Sequence, residues 1–189
     1  MAKPRRSQGT RDRILNEARR LFAQRGYERT TIRAVAKAAN INVSMVMRYY
    51  GSKEELFARA AKIDLRVPDL GAVPAEKRGE TIVTHFLDRW EGPEAGDELP
   101  ALLRAAITHE AARQRVIEII MSQAGRAISA TIPAEQFEER LGLIITQLSG
   151  LAFSRFVLKH PLVVSLDHDV IVQRLGKTVQ SYLDGGAEK

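Results

Sequence analysis

The stretch from Thr31 to Leu56 constrains the fold of this chain more than any other part of the sequence. Its first apolar residues recur at the spacing that places side chains on one face of a short helix, namely Ile32, Val35 and Ala36. Thr30 or Thr31 precedes that helix, and a threonine hydroxyl there can accept a hydrogen bond from an unpaired backbone N–H. The pattern therefore predicts a short helix that starts at about residue 32.

A turn and a second helix follow at once. Asn40 occupies a position where a left-handed residue would end the first helix, and asparagine tolerates that conformation. Asn42 is placed to cap a second helix that runs to about Tyr49 and stops at Gly51. Ser52–Glu55 has the S-x-x-E pattern of a capping box, which predicts a third helix. Helix, tight turn, helix is the layout of the helix-turn-helix motif that binds DNA.

The charge distribution agrees with a DNA-binding function for this part of the chain. Residues 1–67 contain 16 Lys and Arg against 6 Asp and Glu, whereas the other 122 residues contain 13 against 17. A basic first third beside a mildly acidic remainder is typical of a protein that places one end on a polyanion. A solvated helical surface is the alternative interpretation of the same charges.

The second helix supplies side chains that suit both parts of a DNA duplex. We expect four residues to contact base edges, namely Asn42, Ser44, Met45 and Arg48. We expect three others to contact phosphates, namely Thr31, Tyr49 and Lys53. Arg5 or Arg6, in the basic N-terminal arm, would suit a neighbouring minor groove.

Specific residues in this region also follow the pattern of a known family. They are Leu21-Phe22, Gly26-Tyr27, Thr31, Val35-Ala36, Ala39, Ile41, Val46, Tyr50 and Ser52-Lys53-Glu54-Glu55-Leu56. Over residues 10–60 the chain resembles the DNA-binding domain of TetR-family transcriptional regulators, with unbroken spacing through the turn. Three positions depart from the family pattern. Asn40 replaces the turn glycine, Asn42 replaces the capping serine, and Met47 replaces a tyrosine that contacts a phosphate in relatives.

The pattern beyond residue 60 predicts more helices and no strand. The third helix extends to about Leu65, a long helix covers about 111–130, and others cover about 134–159 and 167–184. We expect an all-α fold of about nine helices. A helix-turn-helix domain covers residues 1–53, and a helical domain for effector binding and dimerisation covers residues 54–189. The resemblance and the absence of an apolar leader imply a cytoplasmic protein.

The helix at 134–159 is apolar on nearly every side, and its small residues allow close approach of another helix. A single chain of 189 residues offers few partners for such a helix. We therefore expect a homodimer through helices 134–159 and 167–184, although a central core helix in a monomer has the same pattern. A two-fold dimer would place two helix-turn-helix motifs in successive major grooves of a palindromic operator.

The resemblance implies a repressor that a small molecule releases from DNA. Candidate pocket residues are Phe86, Trp90, Leu103, Ile107, Ile117, Ile120, Met121, Ala124 and Gln147. Their largely apolar character indicates a small hydrophobic or aromatic effector. An effector-independent regulator and an activator are alternative functions that fit the same sequence.

An enzyme is the rival class, and the sequence argues against it. His109-Glu110-Ala111-Ala112-Arg113 approaches the H-E-x-x-H zinc motif, but Arg113 stands where the second ligand is required. The chain has no cysteine, which excludes thiol catalysis and cysteine-bound metals. No phosphate-binding loop or nucleophile motif is present. We expect no catalytic residue, no metal and no cofactor.

Overall fold

The computed structural model describes residues 5–93, 95 and 98–185, with side chains from residue 8 onward. Every regular element in that part of the chain is helical, which confirms the all-α fold class. None of these helices is long and apolar enough to cross a membrane. The four N-terminal helices are α1 (Arg5–Arg29), α2 (Ile32–Ala38), α3 (Val43–Tyr50) and α4 (Lys53–Ala60).

Seven further α-helical segments follow. They are α5 (Arg78–Glu91), α6 (Glu98–Thr108), α7 (Glu110–Ile119), α8 (Arg126–Ser129), α9 (Phe137–Ala152), α10 (Pro161–Val164) and α11 (His168–Asp184). A π-helical stretch, Ile120–Gly125, joins α7 to α8 without a break, and a second one, Phe153–Val157, extends α9. Counted this way, the described residues form ten helices, one more than expected. The additional helix is the single turn α10, which begins at Pro161.

The C-terminal ends of α1 and α4 can be compared with the ends that the sequence predicts. The apolar spacing from Ile14 to Phe22, followed by a glycine, predicts that the first helix ends at Gly26. α1 is interrupted there, because Gly26 has a φ of 74° and a ψ of 173°, which are not helical. The expected extension of α4 to Leu65 was wrong, because α4 ends at Ala60 and Ala61 is extended. The carbonyl oxygen of Ala61 accepts a hydrogen bond from Arg115 at 3.0 Å instead of an intrahelical one. Local periodicity contains no information about such a distant partner.

The described residues divide into two compact units. The first comprises the chain up to Ile63 together with α6 and most of α7, to Ile117. The second comprises residues 64–93 and 95 and the chain from Glu118 onward. The domain boundary after residue 53 stays a prediction.

The core of the first unit is built around an aromatic cluster. The Phe57 ring lies 4.9 Å from that of Phe22 and 4.8 Å from that of Tyr27, measured between centroids. Other apolar side chains from α1 to α4 are buried in the same unit, namely Ile14, Ala18, Leu21, Val35, Val46 and Leu56. α6 adds Ala101, Leu102 and Ala105 to the buried set. The four N-terminal helices are thereby held to one another by apolar packing.

The second unit is organised by the close pairing of α5 and α11. Gly79 of α5 faces Gly176 of α11, and the backbone N–H of Gly79 donates to the Gln180 side chain at 2.8 Å. Because neither glycine has a side chain, the two backbones approach closely. Buried apolar residues from α5, α9 and α11 continue the core, namely Ile82, Val83, Leu87, Leu141, Ile144, Ile171, Val179 and Leu183.

Replacing Gly79 by alanine should destabilise the protein. A Cβ there would collide with the carbonyl oxygen of Gly176 and lie 2.6 Å from the backbone nitrogen of Gln180, and neither backbone atom can move without shifting α11. We expect Gly79→Ala to lower the free energy of unfolding by about 1–3 kcal/mol, measured by denaturant unfolding. Gly9→Ala is the control, since a Cβ in α1 at Gly9 meets nothing within 4 Å. Equal stability of the two variants would contradict the close approach.

Candidate nucleic-acid interface

Two local structures set the direction of α2. The Thr31 hydroxyl accepts a hydrogen bond from the backbone N–H of Ala34 at 3.1 Å, which caps the first turn. At the other end the N–H of Ile41 donates to Ala36 and that of Asn40 donates to Lys37, with Asn40 at a φ of 52°. These bonds form a Schellman motif with asparagine in the left-handed position. The predicted turn is thus present, and of the two threonines it is Thr31 that caps.

α3 begins at a cap that uses two polar side chains. The Asn42 Oδ1 atom accepts hydrogen bonds from the backbone N–H and from the hydroxyl of Ser44, both at 2.9 Å. Gly51, at a φ of 71°, ends the helix. Val46 and Tyr50 point into the core and are buried. The opposite side of α3 is consequently fixed as an outward face.

The outward face carries most of the residues that the sequence analysis selected. Asn42, Ser44 and Arg48 are exposed, while Met45 and Tyr49 are half-buried at its edges. Thr31 is exposed at the start of α2, and Lys53 is half-buried at the start of α4. Met47 lies on the same face and is 42% exposed. We use the name α3 face for the exposed residues of α2 together with Thr31, Asn42, Ser44, Met45, Met47, Arg48, Tyr49 and Lys53.

Tyr49 contacts two cations, one from α1 and one from α3. The guanidinium carbon of Arg11 lies 5.1 Å from the Tyr49 ring centroid, and that of Arg48 lies 5.4 Å from it. The Tyr50 hydroxyl donates to the carbonyl oxygen of Arg11 at 2.9 Å, which fixes the beginning of α1 against α3. Sequence reasoning did not single out Arg11, because nothing local places it beside α3.

Further exposed cations extend the basic character of the first unit. They are Arg13, Arg20, Arg25, Arg29, Arg33 and Lys37. A surface of this kind attracts phosphate by charge, independently of base sequence. The side chains of Arg5 and Arg6 lie outside the described residues. Within residues 8–93 and 98–185 no group of three His, Asp or Glu side chains could hold a metal ion.

A network of polar contacts supports the start of α4. The Tyr27 hydroxyl donates to Glu54 Oε1 at 2.7 Å, and Lys53 Nζ lies 4.1 Å from the Tyr27 ring centroid. Lys53 also donates to the carbonyl oxygen of Glu28 at 3.3 Å. Burial, together with the Glu54 carboxylate, raises the pKa of Tyr27 well above its usual value. Burial acts to raise the pKa of Glu54 too, but hydrogen bonds, chiefly from Tyr27, lower it more, so the net direction is downward.

A cavity of about 80 Å³ lies within the second unit. Three of the predicted pocket residues line it, namely Phe86, Trp90 and Ala124. Leu103, Ile107 and Ile117 belong to the first unit, where Ile107 and Ile117 are exposed. Ile120, Met121 and Gln147 lie outside the cavity lining, and the Gln147 side chain donates to the Tyr182 hydroxyl at 3.3 Å. The other residues that line the cavity are Leu65, Val67, Pro68, Ile82, His85, Arg89, Ile128 and Leu148.

Comparison with protein families gives two matches. Residues 14–60 match the model of bacterial regulatory proteins of the tetR family, and residues 76–183 match a tetracyclin repressor-like C-terminal domain. A TetR-family regulator from Streptomyces coelicolor A3 is similar in structure, with 30% identity, a TM-score of 0.54, and coverage of 93% of this chain and 94% of that one. The fatty acid degradation regulator FadR from Bacillus halodurans shares the fold over the full length of both chains, with a TM-score of 0.50 and 15% identity.

Two curated proteins match over shorter segments. The transcriptional regulator TcmR of Streptomyces glaucescens is 40% identical over 47 residues, which are 25% of this chain and 21% of that protein. The transcriptional repressor AcnR of Corynebacterium efficiens is 38% identical over 55 residues, which are 29% of each protein. The matched segment is thus less than a third of either curated relative.

Removing the Tyr27 hydroxyl should make the protein less stable in a pH-dependent way. A carboxyl with a lowered pKa in the folded state adds stability above its unfolded pKa and loses it as the pH falls through the folded value. Tyr27→Phe should therefore cost about 1 kcal/mol of unfolding free energy at neutral pH, and the difference from wild type should shrink in acid.

Denaturant unfolding at a series of pH values measures this difference. Tyr49→Phe is the control, because the Tyr49 hydroxyl has no hydrogen-bond partner among the described residues. A cost for Tyr27→Phe that stays constant from neutral to acidic pH would show that Glu54 is not the group involved.

Proposed function

Because this chain belongs to the TetR family of transcriptional regulators, we propose that it is a homodimeric repressor. In this proposal α3 binds the major groove of a palindromic operator, and a small apolar ligand releases the protein from DNA. The observation that carries the proposal is the α3 face. It presents polar and cationic side chains outward from a basic unit, while Val46 and Tyr50 hold α3 in the core.

The cap of α3 suggests how Asn42 and Ser44 contact base edges. The Asn42 Oδ1 atom and the Ser44 hydroxyl hydrogen are engaged with each other, which leaves the Asn42 amide N–H groups to donate and the Ser44 oxygen to accept. Asn42 would then donate to acceptors such as purine N7, and Ser44 would accept from an exocyclic amine. Arg48 offers a guanidinium that matches the O6 and N7 atoms of guanine, and Met45 offers an apolar contact.

Phosphate contacts by Thr31, Tyr49 and Lys53 complete the interface in this proposal. The Lys53 ammonium has three N–H donors. One of them donates to the carbonyl oxygen of Glu28, so two remain for a phosphate. Thr31 lies at the N-terminal end of α2, where the helix dipole favours an anion. Tyr49 stands between the guanidinium groups of Arg11 and Arg48, whose positive charges would draw a phosphate toward its hydroxyl.

The dimer proposal rests on the exposed side of α9. Gly142, Leu143, Thr146, Gly150 and Phe153 are exposed along one line of the helix, while its other side is buried in the core. A Cβ added at Gly142 or Gly150 would meet nothing within 4 Å, so the line contains two open notches flanked by large apolar side chains. A second α9 related by a two-fold axis would fill these notches and cover the apolar groups.

Neighbouring segments would enlarge the interface around α9. The chain that follows α9, through α10 to the first turn of α11, exposes more apolar side chains, namely Leu158, Leu162, Val164, Leu166 and Val170. The apolar side of α11 is engaged within its own chain, because Ile171, Val179 and Leu183 belong to the core. α11 would therefore join the interface through its outer, mostly polar side rather than through its apolar stripe.

The experiment that tests the DNA-binding proposal is selection of duplexes from a random pool by the purified protein at moderate salt. An inverted repeat is expected, with half-sites about one helical turn apart. Arg48→Ala should then reduce discrimination between the selected operator and random DNA by about 1–3 kcal/mol. Arg13→Ala, which removes an exposed cation outside α3, is the control and should weaken both duplexes alike. Unchanged discrimination by Arg48→Ala would refute its base contact.

Placing a long cation on α9 tests the dimer separately. Gly150→Arg should leave the fold of each chain intact, because the position is open, and should convert the dimer to a monomer by burying an unpaired charge. Sedimentation equilibrium measures the change, and circular dichroism checks that the helices remain. Gly9→Arg is the matched control, since Gly9 is an equally open glycine in α1. A Gly150→Arg protein that stays dimeric would place the interface elsewhere.

A further inference from the structure

A short segment, residues 64–68, is attached to the second unit by its backbone, and we call it the strap. The carbonyl oxygen of Asp64 accepts from Arg89 Nε at 3.0 Å, and that of Leu65 accepts from His85 Nε2 at 2.8 Å. The N–H of Leu65 donates to Gln123 Oε1 at 2.7 Å. Two side chains of α5 and one from the π-helical stretch thus fix the strap in place.

The strap forms one wall of the 80 Å³ cavity. Leu65, Val67 and Pro68 of the strap line it together with Phe86 and Trp90 of α5. Trp90 lies between two aromatic rings, with centroid distances of 5.5 Å to Phe86 and 4.8 Å to Phe156. The remaining walls are apolar except for His85 and Arg89. The cavity therefore combines flat aromatic walls with one permanent positive charge.

The charge of Arg89 is not neutralised within the described part of the chain. No carboxylate of those residues lies within 4.0 Å of its guanidinium. Arg155, also in the second unit, provides a contrast, because it forms an ion pair with Glu91. The Nε atom of Arg89 is bonded to the strap, which orients the guanidinium and leaves its terminal nitrogens without a described partner. A planar guanidinium with free terminal nitrogens can donate two parallel hydrogen bonds to one carboxylate. Apolar walls strengthen this interaction because they exclude water.

We propose that this cavity binds a small aromatic carboxylate. The ring lies against Phe86 and Trp90, and the carboxylate accepts hydrogen bonds from the terminal nitrogens of Arg89. The volume is well below the roughly 300–1,000 Å³ of sites for drug-sized ligands, so the ligand has a single ring. Its role as the effector rests on the proposed function, but its binding does not. This ligand keeps the aromatic ring expected from the sequence but carries a negative charge, which the sequence did not indicate.

Binding is measured on the free protein without DNA. Trp90 is the only tryptophan in the chain, so its fluorescence reports on the cavity directly. The probes are benzoate and benzyl alcohol, which share a ring and differ in charge. Wild type should bind benzoate more tightly than benzyl alcohol. Arg89→Met should weaken benzoate by roughly tenfold or more, as expected for loss of a charge-assisted hydrogen bond, and leave benzyl alcohol unchanged.

Two further variants separate recognition from folding. Arg174→Met removes an exposed cation from α11 and should change neither affinity. Arg89→Lys keeps the positive charge but lacks the two parallel donors of the guanidinium, so its benzoate affinity should lie between those of Arg89→Met and wild type. Retained benzyl alcohol binding by Arg89→Met shows that the cavity is intact. Equal affinity of wild type for the two probes, or no loss of benzoate binding in Arg89→Met, would overturn the proposal.

Operator binding is then assayed with and without benzoate. Benzoate that binds at Trp90 without releasing the operator would uphold the carboxylate site and refute ligand release by this class. A protein that binds operator DNA but gives no Trp90 response to benzoate would refute the site and leave the DNA-binding proposal standing.

Discussion

The burial of Val46 and Tyr50 in the core of the first unit is the constraint on which the rest of that unit depends. A helix of eight residues has little stability of its own, so tertiary packing must hold it. Once these two side chains are buried, rotation about the α3 axis is fixed, and Asn42, Ser44 and Arg48 have to point outward. The bond from the Tyr50 hydroxyl to the Arg11 carbonyl oxygen then ties α1 to the same helix. Core and interface are thus two sides of one short element.

Features that depend on neighbouring residues could be predicted from the sequence. The caps at Thr31, Asn42 and Ser52, the turn at Asn40 and the helix end at Gly51 all involve hydrogen bonds or backbone angles within a few residues. The all-helical fold was predictable for the same reason, because periodicity records which side of a helix is buried. The outward placement of the α3 residues followed directly, since the buried positions of a helix determine its exposed ones.

Features that depend on distant residues were not predictable in this way. α4 ends early because Arg115 supplies a partner for Ala61, and the strap is an irregular segment held by His85, Arg89 and Gln123. The lining of the cavity in the second unit is another such feature. Leu103, Ile107 and Ile117 have the composition of a cavity wall but lie in the other unit. Which apolar residues share a cavity is decided by packing between elements, and a single sequence does not record it.

The asparagine at position 40 has a consequence for the conformational entropy of the motif. A glycine in that turn would adopt the left-handed conformation easily but would also leave the unfolded chain with many more backbone states. Asparagine tolerates the same conformation at a φ of 52° and restricts the chain elsewhere. Folding this turn with asparagine therefore costs less backbone entropy than folding the same turn with glycine would. The residue that sets the direction of α3 thus also adds to the stability of the folded motif, through the states that it removes from the unfolded chain.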